Sequence, residues 1–261
     1  VLDEMGWAID TYGVENFDFY DLTAIVRKDW IIEFCRRLIA RGYKTTWQLP
    51  TGTRSEALTD EVLPLLYQSG CRYLVYAPES GSPAVLKRIK KKVNLDRMKA
   101  SMRQAVAAGL TVKCNFVVGF PGETRSELWE TVRFCSQLAA IGIHDINVGP
   151  FCPYPGSELF TQLQSEGLLG ELDDAYFDLL AMYADLTRSR SWTKHVSNRQ
   201  LLAFRYLAMA AFYGGSFLRR PLRMLSLVRN VYSGRHKTRL DRNVGDILDR
   251  WWNVARESPR P

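Results

Sequence analysis

Histidine, paired cysteine and long uncharged stretches are what this 261-residue chain has least of. Its three histidines, His144, His195 and His236, stand in no metal-ligand spacing, and no two of its five cysteines form a CxxC pair. A zinc-ribbon site and a redox dithiol are therefore not written in it. Cys35, Cys71, Cys114, Cys135 and Cys152 lie far apart, most of them inside apolar runs, and read as reduced core residues of a cytosolic protein. The longest run without a charge, Tyr206 to Leu218, has thirteen residues, against the roughly 20 that a membrane-spanning helix needs. No such helix is expected. There is no initial Met either: Val-Leu-Asp-Glu opens a stretch with a helical look, as if the chain began inside a domain, with any targeting segment outside it.

What is present is ordinary globular composition, 46% hydrophobic and 24% charged, enough for one large domain and an appendage. The net charge of +7 is unevenly spread. From Arg188 onward there are 16 Lys/Arg against 4 Asp/Glu, a net +12, which leaves −5 for residues 1–187.

Residues 1–165 repeat one pattern five times: a helical stretch, a glycine, a few residues, then a β-rich run. The glycines are Gly13, Gly42, Gly70, Gly109 and Gly142, each placed where a left-handed residue ends a helix. The spacing predicts helices over 29–40, 59–68, 96–108 and 127–140, with Asp29, Thr59 and Asn94 as N-caps. Strands alternating with helices about every 30 residues make a parallel sheet, open or closed into a barrel. In such folds chemistry gathers at the C-terminal ends of the strands. Those ends run into Asp21; into Pro50, Thr51 and Arg54; into Glu79, Ser80 and Gly81; into Gly119, Gly122 and Glu123; and into Pro153, Tyr154 and Gly156.

At this point the residues resemble a family. YLVYAPESGSPAVLKRIKK, then GLTVKCNFVVGFPGET, then PFCPYPGSELF, with FDFYDL before them, are similar to successive strand ends of the radical S-adenosylmethionine (SAM) superfamily, in particular its cobalamin-binding branch. The resemblance implies an α/β fold: a partial parallel (β/α)6 TIM-like barrel missing its first strand over residues 1–165, followed by an α-helical, Arg-rich extension over 166–261. It further implies reductive cleavage of SAM at a [4Fe-4S] cluster to a 5′-deoxyadenosyl radical, and beyond that cobalamin-dependent methyl transfer or oxidative cyclisation. Carried over residue by residue, Val118 and Gly119 would flank the adenine, Asp21 would take the methionyl ammonium, and Glu79 and Ser80 the ribose or methionyl group. Lys91, or its neighbours Lys90 and Lys92, would take the methionyl carboxylate, with Pro153 and Tyr154 completing the site. The superfamily's CxxxCxxC cluster motif does not occur in this chain. Either it precedes Val1, as does any cobalamin domain, or the chain is a degenerate, noncatalytic barrel that serves as a binding module. A barrel enzyme using a Schiff-base lysine, Lys44 or Lys113, is a further reading.

The partners implied are a small-molecule or lipid-like substrate and an electron donor such as flavodoxin or ferredoxin. In the basic tail a helix is expected from Gln200 to Tyr213, then a break at Gly214-Gly215, then an amphipathic stretch from Phe217 to Tyr232 and a last helix with Trp251 and Trp252. Three roles stay open for it: a cap on the barrel mouth, a membrane-surface helix that would make a cytoplasmic protein membrane-peripheral, and, least favoured, a nucleic-acid contact.

Overall fold

The computed structural model describes residues 1–20, 25, 27–183, 185–234, 238, 240–246 and 248–249. Five strands, β1 (Asn16–Asp18), β2 (Thr46–Leu49), β3 (Cys71–Glu79), β4 (Thr111–Val118) and β5 (Asp145–Pro150), form one sheet in sequential order, every neighbouring pair parallel. Between them run α1 (Leu2–Tyr12, before β1), α2 (Lys28–Arg41), α3 (Val62–Gln68), α4 (Pro83–Arg88), α5 (Leu95–Ala107) and α6 (Arg125–Ile141). After β5 come α7 (Glu158–Ser165), α8 (Asp174–Leu180), α9 (Asn198–Arg219) and α10 (Leu222–Tyr232). The expected parallel, partly closed α/β architecture is what the chain adopts.

All five helix-ending glycines have positive φ, from 64° at Gly13 to 103° at Gly142, the region other residues enter only at a cost. Asn94 caps α5 as expected, its side chain accepting the Arg97 N–H. The other two caps differ. Asp29 lies inside the first turn of α2 and pairs with Arg27, and Thr59 precedes α3 by a turn, its carbonyl receiving the Val62 and Leu63 N–H groups. A short polar residue near a helix start is drawn to several local bonding patterns, and sequence spacing does not separate them.

The outward faces of the strands build the core. Trp47, Leu74, Val112, Cys114, Phe116, Ile146 and Val148 are buried under the helices, whereas Gln48, Thr111, Lys113, Asn115 and Asn147 alternate with them on the inner face and stay part-exposed. Parallel sheets usually have two apolar faces. Here the concave face is polar, and on it Gln48 donates to Asp18 and Thr46 to Asn16 across β1 and β2.

α9 continues this core. Leu201, Phe204, Ala208 and Phe212 belong to the same buried cluster as the sheet. By length and composition α9 could cross a bilayer, contrary to the expectation from charge-free runs. Yet a third of its apolar window is inside the fold, and the wholly buried Arg205 donates to Val148, Arg188 and Asp185 carbonyls. Those bonds make it a core helix. It also runs straight through Gly214-Gly215, where a break was expected. Gly215 faces α6, and a Cβ there would stand 3.3 Å from Ala139 Cβ, so glycine lets the two helices close up and packing overrides its poor propensity.

Among the described residues α9 and α10 do not cap the barrel mouth, whereas the segment before α9 reaches it: Trp192 clusters with Phe120 and Phe151, and Thr193 donates to the Glu123 carbonyl. α9 starts beside the C-terminal ends of the strands, with Leu201 against Gly119, and runs along α6 to the opposite end. There Arg220 donates to the carbonyls of Ala139 and Ala140, and Arg223 to those of Gly142 and Ile143. Two of the arginines read as a cationic surface thus cap the C-terminus of α6, where the helix dipole favours cations. Trp251, Trp252 and His236 lie outside the described residues.

Candidate functional site

At the C-terminal ends of β2 to β5 two cavities meet. The larger, about 800 Å3, lies between the loop after β2 and the loop joining α4 to α5; the smaller, about 420 Å3, lies over the ends of β4 and β5. Both volumes are within the usual range for small-molecule sites. Glu79 and Lys91 line both, joined by an ion pair of 3.0 Å that forms the wall between them.

Glu79 stands where β3 slips register against β4: Tyr76 pairs with Cys114, but Glu79 pairs with Phe116, three residues against two. Its φ is 63°, a left-handed conformation that costs a non-glycine residue of order 1 kcal/mol or more. Beyond it, Ser80, Gly81 and Ser82 are pinned to α6. The Thr131 hydroxyl bonds Ser80 Oγ at 3.1 Å and receives the Gly81 N–H at 3.0 Å, while Ser82 N–H donates to Ser80 Oγ. A Cβ on Gly81 would meet the Phe134 side chain and the α6 backbone at 2.6–2.8 Å. The segment is held so tightly that the Glu79 carboxylate is fixed at the cavity rim.

The turn after β4 is built by Glu123. Its carboxylate is wholly buried and accepts the N–H groups of Gly119 and, at 3.1 Å, Phe120; its backbone carbonyl receives the Thr193 hydroxyl. Burial pushes the acid up to about 7, and the two amide bonds only partly offset this.

The expected site residues separate into two groups. Glu79, Lys91 and Tyr154 line the smaller cavity together, with Val117, Phe120 and Phe151 as its apolar surface. Ser80 does not face it: the hydroxyl is buried and committed to the α6 network. Val118 is also turned away, buried in the core at 2% exposure, so at the end of β4 it is the Val117 side chain that borders the cavity. Parity shows this in the sequence, since Val117 continues the inward series Thr111, Lys113, Asn115. Gly119 is buried, its N–H donates to the Glu123 carboxylate, and the space where its side chain would be is filled by Leu201. Pro153 is buried and its carbonyl receives the Tyr176 hydroxyl. Asp21 lies outside the described residues.

No group of three His, Cys, Asp or Glu among the described residues could hold a metal ion. All five cysteines are buried, and burial raises the thiols of Cys35 to about 11 and Cys71 to about 12, the reverse of what a thiolate ligand needs. An iron–sulfur cluster does not fit the cysteines of this chain. A sulfonium nucleoside fits the cavities better: an apolar slot for a flat base beside a carboxylate and an ammonium that complement ribose or amine and carboxylate.

The chain is 27% identical over 172 residues to an uncharacterized methyltransferase of Pyrococcus horikoshii, covering 65% of this chain and 36% of that protein. It is 28% identical over 183 residues to the cytidylyl-2-hydroxyethylphosphonate methyltransferase of Streptomyces wedmorensis (67% and 33%), and 25% identical over 164 residues to the anaerobic magnesium-protoporphyrin IX monomethyl ester cyclase of Rubrivivax gelatinosus (62% and 29%). The chain thus spans about a third of the length of these relatives. Its fold matches that of the radical SAM methyltransferase TsrM from Kitasatospora setae, solved with cobalamin and a [4Fe-4S] cluster, with a TM-score of 0.53 at 14% identity over 64% of this chain and 33% of that one. Residues 1–135, which hold β1 to β4 and the Glu79 and Glu123 turns, match the Radical SAM superfamily model, and the chain belongs to that superfamily.

Proposed function

We propose that this chain is the SAM-facing and substrate-facing part of a radical SAM enzyme that carries out methyl transfer or oxidative cyclisation on a small molecule. The observation that carries the reading is the Glu79–Lys91 pair, held on strained backbone where two cavities meet at the strand ends. Bound SAM supplies the transferable methyl or 5′-deoxyadenosyl group. This chain's residues bind and orient it: Val117, Phe120 and Phe151 receive the adenine, Glu79 a hydroxyl or amine, and Lys91 the carboxylate. Because the five cysteines do not suit a cluster, its ligands come from sequence outside these 261 residues, as does a cobalamin site. His144 does not serve as a cobalt ligand here, since its Nδ1 accepts the Val112 N–H at the far end of the sheet. The similarity to methyltransferases and a cyclase favours these two outcomes, and a flavodoxin or ferredoxin is the proposed reductant. The competing reading is a barrel that binds and does not turn over.

Two measurements separate them. Titration of this chain with SAM should show saturable binding that Lys91→Gln weakens about tenfold or more without lowering Tm. Iron and sulfide quantitation with low-temperature EPR, on the chain joined to whatever coding sequence precedes Val1, should then give a [4Fe-4S] signal altered by SAM. Binding without any cluster would leave the noncatalytic barrel.

A further inference from the structure

We infer that the larger cavity is the receptor for an anionic group, a phosphate, phosphonate or carboxylate, on the substrate. The inference rests on the reading that Glu79 and Lys91 face SAM, and it concerns the other side of their wall.

Lys28, Arg54, Lys90, Lys91 and Lys92 line this cavity against the carboxylates of Glu56 and Glu79 alone, a net +3. The surroundings make that excess specific, since residues 1–187 as a whole carry −5. A field of one sign focused in a cleft raises the local concentration of ligands of the other. Three of the cations already have partners: Lys28 with Glu61, Lys90 with Glu158 and Lys91 with Glu79. Arg54 and Lys92 have no carboxylate partner among the described residues, and both line the cavity. Arg54 brings a planar, always-charged fork suited to two oxygens of one oxyanion, and Ser55 beside it brings a hydroxyl donor. Glu79, with its strained φ of 63°, stands on the same rim; the positive φ of Lys90 (57°) belongs to the left-handed turn that ends α4, where the Lys90 N–H donates to Lys87 and the Lys91 N–H to Leu86.

The test is calorimetric titration of the chain with inorganic pyrophosphate at about 50 mM salt, where phosphate contacts are least screened. The Arg54→Gln/Lys92→Gln variant is compared with Lys87→Gln/Arg97→Gln, which removes the same charge from exposed positions outside the cavity. Saturable binding of one pyrophosphate, weakened tenfold or more by the first variant, unchanged by the second and unaffected by saturating SAM, is expected, with Tm the same in all three chains. No saturable binding, or equal loss in both variants, would overturn it. So would competition by SAM, which would assign these cations to the cofactor's own carboxylate. Pyrophosphate bound by a chain that binds no SAM would support the anion receptor and remove the SAM reading; SAM bound without pyrophosphate would do the reverse.

Discussion

Two titratable residues, the buried Glu123 and the part-buried His144, act on stability in opposite directions. Glu123, raised to about 7 by burial against an ordinary 4.5, stays protonated in the folded chain where the unfolded chain would ionise it. Its contribution is fully present below 4.5 and is lost as pH rises through 7. His144, lowered to about 4 by burial and then by Arg223 and Arg220, is held neutral; its contribution is present above 6.5 and lost as pH falls through 4. Each shift corresponds to roughly 3 kcal/mol. Between 4.5 and 6.5 the two slopes oppose one another, and above 6.5 that of Glu123 acts alone. Glu123→Gln keeps an oxygen for the Gly119 and Phe120 amides and abolishes the titration. From pH 6 to 8.5 the Tm of the parent relative to that of the variant should fall by about 3 °C, the remaining His144 slope being common to both. A parent-minus-variant difference in Tm that is flat over that range would remove the account of Glu123 as a neutral acid.

At the scale of elements, two glycines show how helices hold the strand-end rim, and they fail differently. Gly81→Ala drives a methyl into the backbone of α6, which has no rotamer to change, and should cost about 3 kcal/mol or more with no single compensating change. Gly119→Ala meets the flexible Leu201 side chain at 2.6 Å, and its φ of 86° adds a cost of its own. Leu201→Ala should therefore recover part of the loss at Gly119 and none at Gly81, leaving about 1 kcal/mol of backbone strain. Chemical denaturation of the double-mutant cycle reads both; equal rescue at the two sites would refute the distinction. These elements also show what was legible beforehand. Gly13, Gly42, Gly70, Gly109 and Gly142 announced the alternation of helix and strand because an αL cap is a local requirement. Gly214-Gly215 misled because its reason, Ala139 of α6, lies more than seventy residues away. Arg220 and Arg223 have partners eighty residues distant, and no period in the tail could point to them. Among the expected site residues, the ESGS segment and the basic run after it pointed to Glu79 and Lys91, which the structure sets together on one cavity wall, whereas the inward turn of the Ser80 hydroxyl depends on Thr131, 51 residues away.

For the whole molecule, the order of elements sets where function sits. Sequential parallel pairing puts every loop that follows a strand on one rim, so Arg54, Glu79, Val117 and Tyr154, a hundred residues apart in sequence, border two adjoining cavities. At the opposite end Arg220 and Arg223 tie the corner between α9 and α10 to the C-terminus of α6. The outer surface of α10 is left apolar, with Leu222, Leu225 and Val228 at 74%, 67% and 49% exposure. The burial of all five thiols gives the experimenter a clock. With Cys35 and Cys71 raised well above the usual thiol range and Cys114 wholly enclosed, a disulfide reagent near pH 8 should label the folded chain slowly and the denatured chain at five sites at once. Intact-mass spectra would then hold two populations, unlabelled and fivefold labelled, whose ratio counts the molecules that have opened. A cysteine introduced at the exposed Lys92 would add one fast mass shift ahead of them, reporting on the cavity rim without removal of any native thiol.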